Sequence, residues 1–522
     1  MIKHPALAWL RSHPSLVAVL GSLLVSAYFL AAGDAPNDDA YTYVRVADIL
    51  LHEGVAAAFA HYPWATYPVL FAHLLPLGVD LFTAGLLLNA LLYALLAYCF
   101  VQLVAQLAKD WPRAQRDSAL LLATLVILLY PQLNEFRSML IRDVGFWAFA
   151  LLGLLQLIRL AQRPLGVAFW RHGLGFCLAL GIAFSFRAEA LAYLLLGPAL
   201  FVFLETEQGK RRTRDALRLG ALVASSGLVA AALLLLLDVD LLALLGKFLA
   251  TYAPFFKAAF TADEGQRAAL SAVLFGEHAE AYSGEYLSLF LVVGLLGILL
   301  ASLASAVSLP FALTLGLSAL RARLRGREAS HGGLALNGDA ARLLIGFALI
   351  NLGILMGFIL ITRFVSARYG MLFSLLLVTL VPIVLARARR PVQGSSLSPL
   401  PAWPLALLFV YCFVDSFYSF GDRKTFLEDA TAWVRAQESQ AAFLSNNHRL
   451  AYASGRVEDY DRTPRYLSVA ELRASAPDTH IAIEMNAQMR ERVAQLEQEG
   501  VLERLIGFPE TGEARILVLR RR

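Results

Sequence analysis

Long runs of Leu, Ala, Val, Ile and Phe recur from Pro14 to Phe420, broken by short stretches that carry charge, Pro or Gly. A helix needs about 20 apolar residues to cross a hydrocarbon core. The runs predict about 11 membrane helices, near 14–32, 81–107, 117–131, 143–160, 170–186, 188–204, 217–237, 286–309, 343–361, 368–386 and 403–420. The pattern changes after 420, where polar and charged residues take over. Phe426 to Glu438 and Ala487 to Gln498 read as helices, and Ala441 to Ser445, His480 to Met485 and Glu513 to Leu519 as strands. Strands alternating with helices predict a small α/β domain over 421–522. About 100 residues suffice for such a domain to fold by itself.

Composition supports the membrane reading. The chain is 58% hydrophobic and 16% charged, with a mean hydropathy of +0.61. A soluble domain is nearer about 45–50% apolar and about 25% charged. The formal net charge of +5 reads as loop bias, since no zinc spacing, P-loop or dinucleotide fingerprint argues for a nucleotide or nucleic-acid partner. Cys99, Cys177 and Cys412 lie far apart inside apolar runs and predict neither a disulfide nor a metal site. Lys3, Arg11 and Ala31-Ala32-Gly33 have the outline of a signal peptide, but the 14–32 run suits an uncleaved spanning helix.

Basic residues set the expected orientation. They crowd alternate connections: Lys109, Arg113 and Arg116; Lys210 to Arg214; Arg321 to Arg327; Arg387 to Arg390. This predicts a cytoplasmic N-terminus and places 33–80, 238–285 and the tail outside. Residues 1–420 then form a transmembrane domain and 421–522 one outside the cytoplasm. In the first external segment, Ala40 to Leu51 has helical spacing and reads as a surface helix, and the aromatics of His61 to Pro68 suit an interfacial belt. In the second, Lys247 to Phe260 is amphipathic and aromatic. The polar stretches at 330–338 and 391–402 read as flexible linkers. Asn446, Asn447, His448, Arg449 and Tyr452 follow a strand, where α/β folds place sites, but since function does not follow from fold a structural loop is the preferred reading.

Ionisable groups at membrane level are costly and mark function by default. Those expected on the outer face are Asp38, Asp39 and Arg45; Glu135, Arg137, Arg142 and Asp143; Arg187 and Glu189; Arg363 and Arg368. Helix-end snorkelling and structural ion pairs explain part of such a set, above all Arg142 with Asp143 and Arg187 with Glu189. A carboxylate near a hydroxyl acts as a general base, and guanidiniums hold phosphate through paired charge-assisted hydrogen bonds. Together they suit transfer of a group from a lipid phosphate to a hydroxyl.

Several stretches, in order, resemble the GT-C glycosyltransferases. Asn37-Asp38-Asp39-Ala40-Tyr41 is similar to their first-loop Asp-Glu/Asp motif, and Tyr62-Pro63-Trp64-Ala65-Thr66-Tyr67-Pro68 to their Pro-Pro-Leu-Tyr-Pro stretch, with Tyr-Pro-Trp replacing Pro-Pro. Glu135 to Asp143 resembles their segment ending in a second Asp. Phe184-Ser185-Phe186-Arg187 occupies the place of a basic residue closing a Gly-rich helix. Arg363 to Tyr369 resembles their late Arg-Tyr element, here with two arginines. The nearest groups are the protein O-mannosyltransferases, the lipid-A aminoarabinose transferases and the lipopolysaccharide-core galacturonosyltransferases.

The resemblance implies an inverting transfer from a polyprenyl-phosphate sugar to a cell-envelope acceptor, at the periplasmic face of a bacterial inner membrane. It makes Asp38 the general base and Asp39 its partner. Asp143 becomes an acceptor-binding or supporting acid, and Arg187, Arg363 and Arg368 phosphate ligands. Arg45, Tyr67, Arg142 and Tyr369 complete the expected substrate contacts. Asp38, Asp39 and Asp143 have the oxygen chemistry of a divalent-ion site, but the groups resembled do not require one, and neither metal nor cofactor is expected. A transporter or flippase would place its charges at mid-membrane in repeated halves. An O-antigen polymerase or ligase would not carry the acid pair so soon after the first helix.

Overall fold

The computed structural model describes residues 9, 12–33, 35–163, 165–204, 212–236, 242, 243, 246, 249, 250, 253–255, 264–324, 335–389, 401–418, 425–437 and 441–522. Lys3, Arg11, Lys210, Arg211, Arg325 to Arg327 and Arg390 lie outside them. So do most of the 391–402 linker and much of the Lys247 to Phe260 stretch.

In chain order the helices used below are α1 (Pro14–Ala32), α2 (Asp38–Glu53), α3 (Leu81–Leu107), α4 (Arg113–Leu128), α5 (Asp143–Ala161), α6 (Val167–Phe186), α7 (Thr213–Leu236), α8 (Leu287–Val307), α9 (Gly338–Thr362), α10 (Ala367–Val378), α11 (Thr425–Ala436) and α12 (His448–Ser454). Among the described residues eight helices are long and apolar enough to cross a membrane, or nine if a pair bent by 40° counts as one span. Eleven were expected, and local chemistry accounts for the difference. The expected 117–131 span is α4 followed by Pro131–Glu135, and Pro131, lacking an N–H, marks the bend. The expected 188–204 span divides at Gly197-Pro198 into Ala190–Leu196 and a 3-10 turn, Pro198–Phe203. The expected 403–420 span is Ala402–Phe417, of 16 residues.

The chain divides into two compact units. The first comprises Met1–Gly33, Leu87–Ser138 and Arg142–Tyr418; the second comprises Asp34–Leu86, Met139–Ile141 and Ser419–Arg522.

In the first unit α5 and α6 form an antiparallel hairpin. Glycines let them close: a Cβ on Gly145 would stand 2.4 Å from the Phe186 ring, and one on Gly153 would stand 2.9 Å from Leu180. Small residues at such crossings allow backbones to approach. α1 is fastened differently. Arg137, 4% exposed, donates to Ser22 O at 3.2 Å, Ser26 Oγ at 2.7 Å, Ser22 Oγ at 3.1 Å and Asn134 Oδ1 at 2.8 Å. Its guanidinium lies 4.4 Å above the Tyr93 ring. Neutral oxygens and a π-face thus solvate this buried cation.

The second unit joins residues 34–86 to the tail. Its sheet runs β1 (Phe443–Ser445), β2 (His480–Glu484), β4 (Ile516–Arg521), β3 (Leu502–Phe508), with β1 and β2 parallel and the other pairs antiparallel. Alternation sorts the core. Ile481, Ile483, Leu517 and Leu519 face one cluster with Met489, Val493 and Leu496, while Ala482, Ile516 and Val518 face another with Leu427, Val434 and Leu450. Both faces are covered, which fits the apolar reading of β2 and β4. β3 was not expected. It is an edge strand with a register shift between Arg504 and Ile506, which blurs its period of two.

Candidate functional site

The hairpin glycine decides where the charges of the first unit meet. Asp143 opens α5 and Arg187 follows Phe186 at the end of α6. With Phe186 seated on Gly145, the two side chains come together. Arg187 donates through Nη1 to Asp143 Oδ1 and through Nε to Glu189 Oε1 at 3.1 Å, so one guanidinium joins two carboxylates. It is 9% exposed and Asp143 3%. Its Cζ lies 4.5 Å from the Tyr369 ring centroid and 5.9 Å from that of Phe146. Arg368 stands over Tyr369 at 5.3 Å, and the charges of Arg368 and Arg142 also reach the Asp143 carboxylate. Three guanidiniums around two carboxylates leave the cluster cationic, which suits an anionic ligand.

Replacing Gly145 by Ala tests this geometry. Phe186 is fully packed and stacks on Phe149 at 6.2 Å, so its ring has nowhere to turn. Overpacking of this kind costs about 1–3 kcal/mol. Gly145→Ala is therefore expected to lower the melting temperature of the detergent-solubilised protein. An unchanged melting temperature would show that the hairpin does not depend on this contact.

Phe146, Trp147, Arg187, Glu189, Asn351, Ile354, Leu355, Phe358, Arg368 and Tyr369 enclose a cavity of about 10 Å³, room for one water rather than a substrate. Ile354 also lines an open apolar groove of about 780 Å³ along α9, with Leu196, Leu200, Phe203, Ile345, Leu349 and Ile350, and Arg342 at its other end. From Arg342 to Ile354 the helix rises roughly 18 Å. Arg363 caps α9 in the left-handed region at φ 56°, its N–H donating to Ile359 O at 2.8 Å. Of the two late arginines, Arg368 joins the cluster and Arg363 forms the turn before α10.

In the second unit Asp38 and Asp39 are the first two residues of α2; Asp38 is exposed and Asp39 half-buried. Neither is the N-cap. Asn37 holds that position, but its side chain makes no cap bond. Instead Asn37 Oδ1 accepts the Leu140 N–H at 2.8 Å and Nδ2 donates to Leu140 O at 3.3 Å. This two-point clamp fixes the start of α2, where first-turn carboxylates also complement the helix dipole.

Two expected substrate contacts are otherwise engaged. Arg45 meets Asp48 at 3.3 Å, Glu458 at 3.2 Å and Asp459 at 3.9 Å, so carboxylates surround the guanidinium expected on phosphate. Tyr67 is fully buried against Tyr43 and Phe71, its hydroxyl donating to Gly85 O at 3.5 Å, and serves the core. The structural reading of the 446–447 loop agrees with its bonds: Asn447 caps α12, and Asn446 Nδ2 donates to Glu484 O at 3.0 Å. Glu189, absent from the expected ligands, is integral to the cluster; its signal was the Arg187-x-Glu189 spacing at a helix end. Among the described residues no group of three or more His, Cys, Asp or Glu is arranged to hold a metal ion.

No family model matches this chain, and no curated protein sequence does. Solved structures do. The archaeal oligosaccharyltransferase AglB from Archaeoglobus fulgidus, in complex with an inhibitory peptide and a dolichol-phosphate, matches over 91% of this chain and 70% of its own, at TM-score 0.50 and 12% identity. The apo form of the Archaeoglobus fulgidus oligosaccharyltransferase covers 88% of this chain and 65% of its own, at 0.48 and 13%. The arabinofuranosyltransferase AftD from Mycobacteria covers 97% and 40%, at 0.41 and 14%. At these identities the likeness concerns the fold, and only the first is close enough to bear on it. The chain has a GT-C-like membrane fold with a small C-terminal mixed-sheet domain.

Proposed function

We propose that this chain is a multi-pass membrane glycosyltransferase that moves a sugar from a polyprenyl-phosphate donor to a hydroxyl of a cell-envelope acceptor, on the periplasmic side of a bacterial inner membrane. The observation that carries this reading is the largely buried cluster in which Arg142, Arg187 and Arg368 outnumber Asp143 and Glu189, beside an apolar groove on α9. A lipid phosphate has that pair of chemistries, a long apolar tail and an oxyanion head. The dolichol-phosphate in the oligosaccharyltransferase of similar fold supports the same donor class.

In the proposed reaction Asp38 takes the proton of the acceptor hydroxyl as its oxygen attacks the anomeric carbon. The bond from that carbon to the phosphate oxygen breaks, and the polyprenyl phosphate leaves with the electron pair. Attack opposite the leaving group inverts the anomeric centre. The departing phosphate needs charge stabilisation more than a general acid, which Arg187 and Arg368 supply. Asp39 supports the base, and Asp143 and Glu189 hold Arg187 in place.

A polyprenyl phosphate bearing a photoreactive group in its tail tests the donor assignment. Crosslinks are expected on Leu200, Ile345 or Leu349 and are expected to disappear with excess undecaprenyl phosphate. Labelling confined to the lipid-exposed faces of α1 and α7, unaffected by competitor, would overturn the assignment.

A further inference from the structure

Tyr41, two residues beyond Asp39, is buried at 3% exposure. Its ring centroid lies 5.5 Å from Phe82, 5.7 Å from Tyr452 and 6.5 Å from His448, nearly parallel to the last. The charges that reach its hydroxyl are those of Arg449 and Arg435, from the tail, and of Asp38. Tyr452, in the same aromatic group, feels Arg435 together with Asp80 and Asp48. The tail therefore brings two guanidiniums, on α11 and α12, within electrostatic reach of an aromatic group that also feels carboxylates of residues 34–86.

The α12 residues are held firmly. Asn447 accepts the N–H groups of Arg449 and Leu450 at 3.0 and 3.2 Å, and Asn447 Nδ2 donates to Glu484 Oε2 at 2.7 Å. His448 is fixed by Tyr460 O at 2.9 Å and Thr463 Oγ1 at 2.8 Å. Yet Arg449 Nη1 is buried and meets no hydrogen-bond acceptor. Neither Arg435 nor Arg449 forms an ion pair among the described residues. A buried guanidinium N–H without an acceptor is costly, and the ligand that best satisfies it is an oxyanion.

We propose that Arg435 and Arg449 form an oxyanion subsite of the tail beside Asp38, and that the acceptor is a glycan bearing a carboxylate or a phosphate near its reacting hydroxyl. This rests on the glycosyl-transfer reading. A carboxylate base alone repels an anionic acceptor; the tail cations offset that repulsion and orient the acceptor across the base. A neutral acceptor would leave Arg449 Nη1 unsatisfied.

The test uses the full chain in detergent and three trisaccharides of equal length: one with a uronic acid, one phosphorylated, one neutral. Calorimetry is expected to show at least one charged probe binding about tenfold more tightly than the neutral one, the worth of a charge-assisted hydrogen bond or two. Which charged probe is preferred distinguishes carboxylate from phosphate. Arg449→Gln with Arg435→Gln is expected to erase the preference, and Arg449→Lys to keep part of it. In the unmodified protein, raising salt to about 0.5 M is expected to shrink the preference, a reading that does not depend on whether the variants fold. Equal binding of all three probes by the unmodified protein would overturn the proposal. So would a loss of undecaprenyl phosphate affinity in Arg449→Gln, which would assign this cation to the donor. Undecaprenyl phosphate that fails to bind the unmodified protein would count against the donor reading instead, leaving the charge preference as its own result.

Discussion

Asp38→Asn is expected to slow sugar transfer about a hundred- to ten-thousandfold, the usual contribution of a positioned general base. Insertion and unfolding temperature should hardly change. Asp38 is exposed at the first turn of α2, so the substitution removes only a dipole interaction of about 0.3–1 kcal/mol. That separation of activity from stability makes the experiment informative, since Asn matches Asp in shape and lacks only the charge. Asp39→Asn is expected to lower transfer as well, as the partner of the base. Single-turnover transfer from a polyprenyl-phosphate sugar, measured beside a thermal scan, gives both quantities. Full activity in both variants would remove Asp38 and Asp39 from the reaction.

The opposite signature is expected at Arg187. Arg187→Gln leaves the buried Asp143 and the half-buried Glu189 without the cation that joins them. Breaking a buried pair from one side costs about 3–5 kcal/mol, a large share of the stability of a typical protein. The variant is expected to melt well below the parent and to bind undecaprenyl phosphate weakly. Arg187→Lys keeps the charge but not the fork that reaches two acids at once, and should fall between. Arg368 is the useful comparison, because it stacks on Tyr369 and is only half-buried, where Arg187 is buried. Arg368→Gln should weaken undecaprenyl phosphate binding with a smaller loss of stability. Parent-like melting of Arg187→Gln would show that the acids find other partners and that the bridge does not organise the cluster.

The course of the polypeptide was largely legible because apolar run length and Pro or Gly breaks are local signals. Ala40 to Leu51 was helical by spacing and lies within α2, and Ala487 to Gln498 is a helix with the expected bounds. The membrane-level charges likewise pointed to Asp143, Arg187 and Arg368, since solvation penalties belong to a residue type and a depth. What a residue meets across hundreds of positions is a different matter. Nothing local to Arg45 reveals that Glu458 and Asp459 return to it. The aromatic run holding Tyr67 suits an interface as well as a core, and only packing against Tyr43 and Phe71 decides for the core. The Gly145 contact was hidden for the same reason. A glycine in an apolar helix carries no message until the neighbouring helix supplies Phe186.

The cage around Arg137 has a consequence for the order in which the protein is made. α1 leaves the ribosome before Arg137, apolar along most of its length but carrying Ser22 and Ser26, the hydroxyls that later receive the guanidinium. Arg137 follows Ser26 by 111 residues, which at about 5–20 residues per second takes roughly 6–22 seconds. Throughout that interval α1 lacks its bonds to Arg137, and the hydrogen-bond partners that emerge earlier, Gln102 on Ser15 Oγ at 2.9 Å and Thr124 on Pro14 O at 3.1 Å, meet only its first turn. The arginine then enters a place already furnished with oxygens and a tyrosine ring, so its arrival closes the first stage of assembly.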